Sequence, residues 1–479
     1  MPSFYVENFG CRATQADGAA IEEQFREQGL ERAPDRRRAR FIVLNTCAVT
    51  ASAEQDARAA IRRARRENPG CEVIVTGCYA QRAPEQIAAL PGVSVVVGNS
   101  HKHNLAQIAL NAHTEKGSSG TKSFILASEL GARADFSNSD AGLIFVSDIF
   151  AHTELLAAPV FESANERTRP NLKVQDGCNN RCSFCIIPSL RGRSRSLKTA
   201  EVVRQVNELV SAGYREVVIS GINLGRWGRD LQGGQSRAPK FEDLVKAILD
   251  DTCLEKLRIS SVEPMDWSDS LIQLMADSPR IAKHAHIPMQ SGSDAVLRRM
   301  HRKYRPRHYR EKLEKIRAAV PTAAIGADVM VGFPGESESE FEETLLMVES
   351  LPFTYLHVFT FSARPGTPAA AMPGQVPIHA ARERNRILRE LAAQKKRDFM
   401  RRFVGRTLEM ITLNVSAQDA SGVWTEALSD NYLKAKLRGR HDANRWLKAK
   451  ITAVENGELI ATDGPAEILV RASASGCLI

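Results

Sequence analysis

Cys178, Cys182 and Cys185 stand in the spacing CxxxCxxC, three thiols within eight residues. Thiolates this close can wrap one face of a cubic [4Fe–4S] cluster. Four cysteines would cap every iron, whereas three leave one iron open. An open iron can chelate the amino and carboxylate groups of S-adenosylmethionine (SAM). An electron passed through the cluster then cleaves the sulfonium and yields a 5′-deoxyadenosyl radical, which is the cofactor's own chemistry. Zinc is the competing occupant. A closed zinc site needs four ligands, usually from paired CxxC motifs, and no fourth Cys or His lies nearby in the sequence.

Cys11, Cys47 and Cys78 are far apart, yet each follows a strand-like segment: YVENFGC, FIVLNTC and VIVTGC. In a parallel sheet neighbouring strand ends lie side by side, so three such cysteines can converge outside the carboxyl edge. The alternative is that each is a small buried hydrophobe. Cys71 precedes the strand that Cys78 follows and falls at the wrong end; it is read, with Cys253 and Cys477, as structural or surface. Nine cysteines in 479 residues are too sparse for a disulfide framework.

The elements that must position these residues can be read from periodicity. Phe4–Asn8, Phe41–Asn45, Glu72–Thr76 and Val93–Val97 read as strands, alternating with helices Gln15–Gln28, Ala53–Glu67 and Ala83–Ala89. Such alternation predicts an α/β domain with a parallel sheet. From about Asn111 to Asn165 the pattern decays; KGSSGTKS is linker-like, and Leu143–Phe150 receives no assigned place. A second alternation has candidate strands Leu172–Gln175, Glu216–Ser220, Leu257–Ser260, Ala285–Pro288, Ile325–Val331 and Tyr355–Phe361. Helical stretches such as Thr199–Ala212, Phe241–Asp250 and Asp294–His301 lie between them. Six βα units predict an open or partial (β/α) barrel with its chemistry at the carboxyl strand ends. Ala381–Phe403 reads as a charged helix, and Gly405–Val470 as five short strands of a small antiparallel β-barrel. The expected division is 1–110, a linker or insertion at 111–165, then 166–400 and 401–472.

Net charge is +9, which favours an anionic partner, and nucleic acid is the commonest large one. No apolar run approaches the ~20 residues a membrane span needs. Met1–Gly10 leads straight into a strand-like segment without a charged-then-apolar leader. A cytoplasmic protein without membrane contact is expected.

Phe184 precedes the last Cys of the CxxxCxxC set, as in the radical-SAM signature. VQDGCNNRCSFCIIPSLRGRSRS, HIPMQSGSDAVLRRMHRKY, DVMVGFPGE and FTFSARPGTPA together resemble the radical-SAM methylthiotransferases. NFGCRATQAD, LNTCAVT and TGCYAQ match that family's three N-terminal blocks. The resemblance implies a second [4Fe–4S] cluster on Cys11, Cys47 and Cys78, also with an open iron. One block departs: the family commonly reads GCKxNQ, and Ala13-Thr14 replaces the usual pair here. That leaves ligation intact and alters the surroundings of Cys11. By resemblance this auxiliary cluster carries the sulfur that becomes the methylthio group. Iron-bound sulfide is soft and nucleophilic, so one SAM can methylate it while a second supplies the radical that activates the substrate carbon. A low-potential electron donor such as flavodoxin or ferredoxin, and a sulfur source, are implied as partners.

Candidates for the SAM pocket lie past strand ends. In SGINLGRWG, Gly221 and Gly225 would let the backbone approach a ligand, and Asn223 would meet the SAM methionine or ribose. Glu263 in RISSVEP and Gln290 after HIPM would bind ribose hydroxyls or the amino group. Ordinary loop polarity is the alternative for each.

Arg58, Arg62, Arg65 and Arg66 share one face of a predicted helix, available to phosphate or simply to water. Arg191, Arg193 and Arg195 follow the CxxxCxxC set and could clamp a polyanion. The C-terminal barrel resembles the TRAM domain, an RNA-binding module. Its expected tRNA face holds Lys434, Lys436, Arg438, Arg440 and Arg445, with Trp424, Tyr432 and Trp446 available for base stacking unless they fill the barrel's core.

NTCAVT, GCYAQ and GCNNRCSFCIIP resemble most the branch that acts on N6-threonylcarbamoyladenosine at position 37 in the tRNA anticodon loop. Alternatives within the family are N6-isopentenyladenosine at the same position and an aspartate of a ribosomal protein; the basic tail favours tRNA. A reading of another class is a non-catalytic two-cluster electron-transfer protein with an RNA-binding tail, which would need four protein ligands per cluster.

Overall fold

The computed structural model describes residues 2–117, 142–152, 155, 168–231, 238–419 and 422–468. Strands β1 (Ser3–Asn8), β2 (Glu31–Arg32), β3 (Phe41–Thr46), β4 (Glu72–Gly77), β5 (Val93–Val97) and β6 (Leu143–Phe145) form one parallel sheet in the order β2-β1-β3-β4-β5-β6. Every residue of β3 is buried, as a parallel strand covered on both faces requires. Helix α1 (Arg12–Glu27) begins before the predicted Gln15, directly after the extended residue Cys11. Helix α2 (Ala51–Glu67) is capped by Thr50, whose hydroxyl accepts from the backbone N–H of Ala53 at 3.2 Å. β6 falls in the stretch where the sequence pattern decays and pairs in parallel with β5. The linker-like KGSSGTKS lies largely outside the described residues. Because the chain runs to opposite sides from β1 and β3, a topological switch point lies between them, where ligands bind outside the carboxyl ends.

The central unit has the partial-barrel form expected. β7 (Asn171–Asp176), β9 (Glu216–Gly221), β10 (Lys256–Ile259), β11 (His284–His286), β12 (Ala324–Val331) and β13 (Tyr355–Thr360) stand side by side in sequence order, all parallel. A two-residue strand, β8 (Arg195–Ser196), pairs antiparallel to β7. β10 and β11 join only through the single bridges Leu257↔Ile281 and Ser261↔His286. β13 ends the row, so the barrel is open between β7 and β13. Helices including Thr199–Ser211, Phe241–Asp251 and Asp294–Arg299 cover the outside, and one continuous apolar core joins strands to helices.

Helix Ile378–Arg401 leads into β14 (Thr407–Asp419), β15 (Gly422–Ser429), β16 (Lys434–Arg438), β17 (Trp446–Glu455) and β18 (Glu458–Ile468). They close into a barrel in the order β14-β15-β16-β18-β17. The expectation of a wholly antiparallel barrel is corrected at one seam: β16 and β18 run parallel. Closure of the barrel leaves no sheet edge unpaired. This barrel docks at the amino ends of the central strands. Asn431 donates to the Thr322 carbonyl at 3.0 Å, and Lys256 pairs with Asp430 at 2.8 Å. Among the described residues no helix is long and apolar enough to cross a membrane.

Candidate active site

Cys11 follows β1, Cys47 follows β3 and Cys78 follows β4, three adjacent strands at the switch point. Glycine makes the approach possible. Gly10 has φ +107°, and a β-carbon there would sit 2.8 Å from Cβ of Cys47. Gly77, at φ +95°, packs against the backbone of Thr46 just as closely. Cys11 and Cys78 are near enough to weigh on the Cys47 thiol, which burial pushes up to about 11. Asn99 donates towards Cys78 Sγ at 3.7 Å. The structure therefore brings the first triad together. Cys71 lies at the opposite end of β4, buried, and Cys477 lies outside the described residues.

The second triad borders a cavity of about 220 Å³ beyond the carboxyl ends of the central strands. Cys178, Cys182 and Cys185 line it together with Asn223, Glu263 and Gln290, the three residues expected there from sequence, and with Phe184, Arg302 and Asp328. Burial raises the Cys178 thiol and pushes Cys185 up to about 12. N–H groups are aimed at the sulfurs. The backbone of Asn180 donates to Cys178 Sγ at 3.4 Å, the Asn223 amide to the same sulfur at 3.5 Å, and Arg302 Nη1 to Cys182 Sγ at 3.3 Å. Such donors suit sulfurs that carry negative charge as cluster ligands. Among the described residues no three Cys, His, Asp or Glu side chains converge as ligands of one ion would. A cubane asks for something different, one thiolate at each of three separate corners.

Arg302 does not stand out in the sequence, where a lone arginine in a basic loop reads as surface. It is buried, forms an ion pair with Glu263, and stacks over the Tyr304 ring at 5.0 Å. The expectation for Gly221 and Gly225 of SGINLGRWG is also corrected. A β-carbon on Gly221 would meet Gln175 Oε1 at 2.8 Å, and one on Gly225 would meet Asp266 Cβ at 2.5 Å. They admit protein neighbours, not a ligand.

Between the triads lies a buried ionic cluster. Arg191 donates to both carboxylate oxygens of Asp176 at 3.0 Å and to Asp17 at 2.9 Å. Lys102 pairs with Asp17 at 3.0 Å, and Lys173 pairs with Asp17 and with Asp176. Burial alone would raise the Asp17 carboxyl, but Lys102, Lys173 and Arg191 hold it well below the usual carboxylate range. Asp17 sits on α1 just past Cys11, and Asp176 ends β7 just before Cys178. A second tie joins the domains: Arg364 donates to the buried Glu54 of α2 at 2.9 Å.

Residues 172–348 match the Radical SAM superfamily, and residues 3–98 match the family described as uncharacterized protein family UPF0004. The chain is 36% identical to the threonylcarbamoyladenosine tRNA methylthiotransferase MtaB of Bacillus subtilis, over 94% of each chain. It belongs to the radical-SAM methylthiotransferases. A tRNA-2-methylthio-N(6)-dimethylallyladenosine synthase of Acidothermus cellulolyticus is 31% identical, over 100% of this chain and 87% of that one. The solved radical SAM methyltransferase TsrM from Kitasatospora setae shares the fold at TM-score 0.55 and 14% identity, over 77% of each chain.

In this methylthiotransferase the expected RNA-contacting residues divide. Arg191 is buried in the ionic cluster and cannot clamp a polyanion; Arg195 is spent on the carbonyls of His152 and Arg191, at 3.0 and 2.9 Å, while Arg193 is exposed. On α2, Arg62, Arg65 and Arg66 are exposed, and Arg58 lies over the Tyr79 ring at 5.5 Å. Lys434, Arg438, Arg440 and Arg445 are exposed on the C-terminal barrel. Lys436 lies over the Trp424 ring at 4.6 Å. Trp446 fills the core, and Tyr432 packs 4.4 Å from His284 at the domain junction. Neither is open to a base.

Proposed function

We propose that the chain adds a methylthio group to C2 of N6-threonylcarbamoyladenosine 37 of tRNA. In this reading Cys178, Cys182 and Cys185 hold the radical cluster, and Cys11, Cys47 and Cys78 hold the auxiliary one. SAM binds in the cavity beside the radical triad. When bound, the clusters and SAM supply the deoxyadenosyl radical and the sulfur that the substrate carbon captures.

The observation that carries the reading is the placement of two cysteine triads at carboxyl strand ends, tied through Arg191. Asp17 and Asp176 anchor the elements bearing Cys11 and Cys178 to one guanidinium, which fixes the span that the substrate carbon must bridge. Asn223 and Arg302 orient ligand sulfurs, and Arg302 also fixes Glu263 at the cavity wall. Gln290, at φ +62°, holds a backbone conformation uncommon for a residue with a side chain, as wall positions of functional cavities often do. A low-potential donor such as flavodoxin or ferredoxin and a sulfur source complete the system.

The substrate is tested by nucleoside mass analysis of tRNA from a deletion strain. Loss of 2-methylthio-N6-threonylcarbamoyladenosine is expected. Its retention in a strain with no second such enzyme sinks the choice, and loss of the isopentenyl counterpart instead would move the assignment to that branch. Reduced, reconstituted protein that makes no 5′-deoxyadenosine from SAM would leave the electron-carrier reading standing.

A further inference from the structure

β13 is the free lip of the open barrel, and its two faces differ. Leu356 and Val358 pack outward against the main core, and the Val358 carbonyl accepts from Asn385 of the long helix Ile378–Arg401. Side chains alternate along a strand, so Tyr355, His357 and Phe359 point the other way, into the barrel. The ring contacts agree: Tyr355 stacks 6.0 Å from His284 and from His286, and His357 lies 5.6 Å from His286. Phe359, one step nearer the carboxyl end, is nevertheless 49% exposed.

This face adjoins the loop of the radical triad at its carboxyl end and faces Arg12, the residue after Cys11, at its amino end. Phe359 pairs in register with Met330, which packs in the same small cluster as Phe184 of the radical loop. His357 pairs with Asp328, which lines the SAM cavity. On the other side, the Arg12 guanidinium, next to Cys11, acts electrostatically on Tyr355 and His284. An open aromatic here borders the space where the reacting carbon must lie.

Resting on the methylthiotransferase reading, we propose that Phe359 is the stacking wall for the target purine of tRNA. A base acted on by a buried radical must leave its own stack, and a half-exposed aromatic face replaces that stacking whatever the base's substituents. Asp328, His286 and His357 lie below it as polar groups for the edge of the base; His286 Nε2 stands 3.4 Å from Asp328. The competing occupant is the adenine of SAM.

The test uses reconstituted full-length protein and an anticodon stem-loop carrying 2-aminopurine in place of the target adenine. Wild-type protein is expected to quench the fluorescence on binding. Phe359→Ala should abolish most of that quenching and lower kcat/KM for tRNA by about ten-fold or more, mainly through KM. Phe359→Tyr should restore both. Phe359→Leu keeps the apolar bulk and should behave like Phe359→Ala, which covers the case in which the alanine variant fails to fold. Quenching that survives both Ala and Leu overturns the inference and leaves the substrate reading intact. So does a loss that appears in the affinity for SAM alone. Absence of quenching by the wild-type protein, together with no methylthiolation of tRNA, removes the substrate reading and the inference with it.

Discussion

Arg191 and Asp17 pair at 2.9 Å across the boundary between the N-terminal sheet and the central barrel. The same guanidinium holds Asp176 in a two-pronged contact. Removing one partner of a buried charge cluster strands the others and typically costs about 3–5 kcal/mol. Arg191→Met is therefore expected to lower the unfolding midpoint sharply in chemical denaturation. Arg191→Lys should rescue little, because an ammonium cannot reproduce the planar fork. A variant as stable as wild type would mean that the cluster does not hold the domains together.

The two triads should fail separately. Replacing Cys178, Cys182 and Cys185 by Ala should remove about half the reconstituted iron and abolish 5′-deoxyadenosine formation. Replacing Cys11, Cys47 and Cys78 should remove a similar share of iron and abolish methylthiolation, with SAM cleavage persisting. Iron analysis with product chromatography checks both; full iron content in either triple variant would refute that triad's assignment.

Arg302 donates to the Cys182 sulfur and pairs with Glu263. Outer-shell partners of this kind are typically worth 10–100-fold in activity or metal affinity. Arg302→Met should lower the rate of SAM cleavage by about that factor. It should also shift the reduction potential of the radical cluster downward, because it removes a charge-assisted hydrogen bond to sulfur. Redox titration followed by electron paramagnetic resonance separates this from a simple packing defect, which would leave the potential unchanged.

His284 gives the fold a pH dependence. It is buried at the junction of the two barrels, beside Tyr355, Tyr432 and His286, and it feels Arg258, Arg12 and Arg169. Burial, then the Arg258 charge, holds its imidazole well below the usual value near 6.5. The unfolded chain takes up a proton below pH ~6.5 and the folded chain does not. This contribution is thus complete above that pH and falls by about 1.4 kcal/mol per unit as the solution is acidified. Denaturation between pH 7.5 and 5.5 should show the slope, and His284→Gln should flatten it.

Binding of tRNA should be salt-dependent through the C-terminal barrel. Lys434 and Arg438 are exposed on one face of β16. Replacing either by Ala should reduce the slope of log affinity against log salt by roughly 0.7–0.9 for each phosphate that is no longer neutralised. Filter binding across a salt series measures it, and an unchanged slope in both variants would exclude that face.

The six cysteines were legible because their signal is local. Spacing defines the CxxxCxxC set, and a cysteine just after a buried apolar run is placed at a strand's carboxyl end by the parallel topology itself. The strands were legible for the same reason: an apolar run such as FIVLN in the N-terminal sheet or EVVIS in the central barrel can be buried only one way. Asn223, Glu263 and Gln290 follow from applying the same rule to loops after strands, and all three line the cavity.

What the sequence could not assign were side chains whose meaning depends on distant docking. Arg191 follows the radical triad and reads as a clamp for a polyanion, yet its partner Asp17 is 174 residues away. Tyr432 and Trp446 look like stacking residues until the barrel closes around one and packs the other on His284. Phe359 reads as one more apolar strand residue; only the open edge of the barrel leaves it exposed. Periodicity and spacing act over a few residues and determined the elements and the positions of the two cysteine triads. Burial of charge and exposure of an aromatic arise when separate elements meet, so only the tertiary structure decided them.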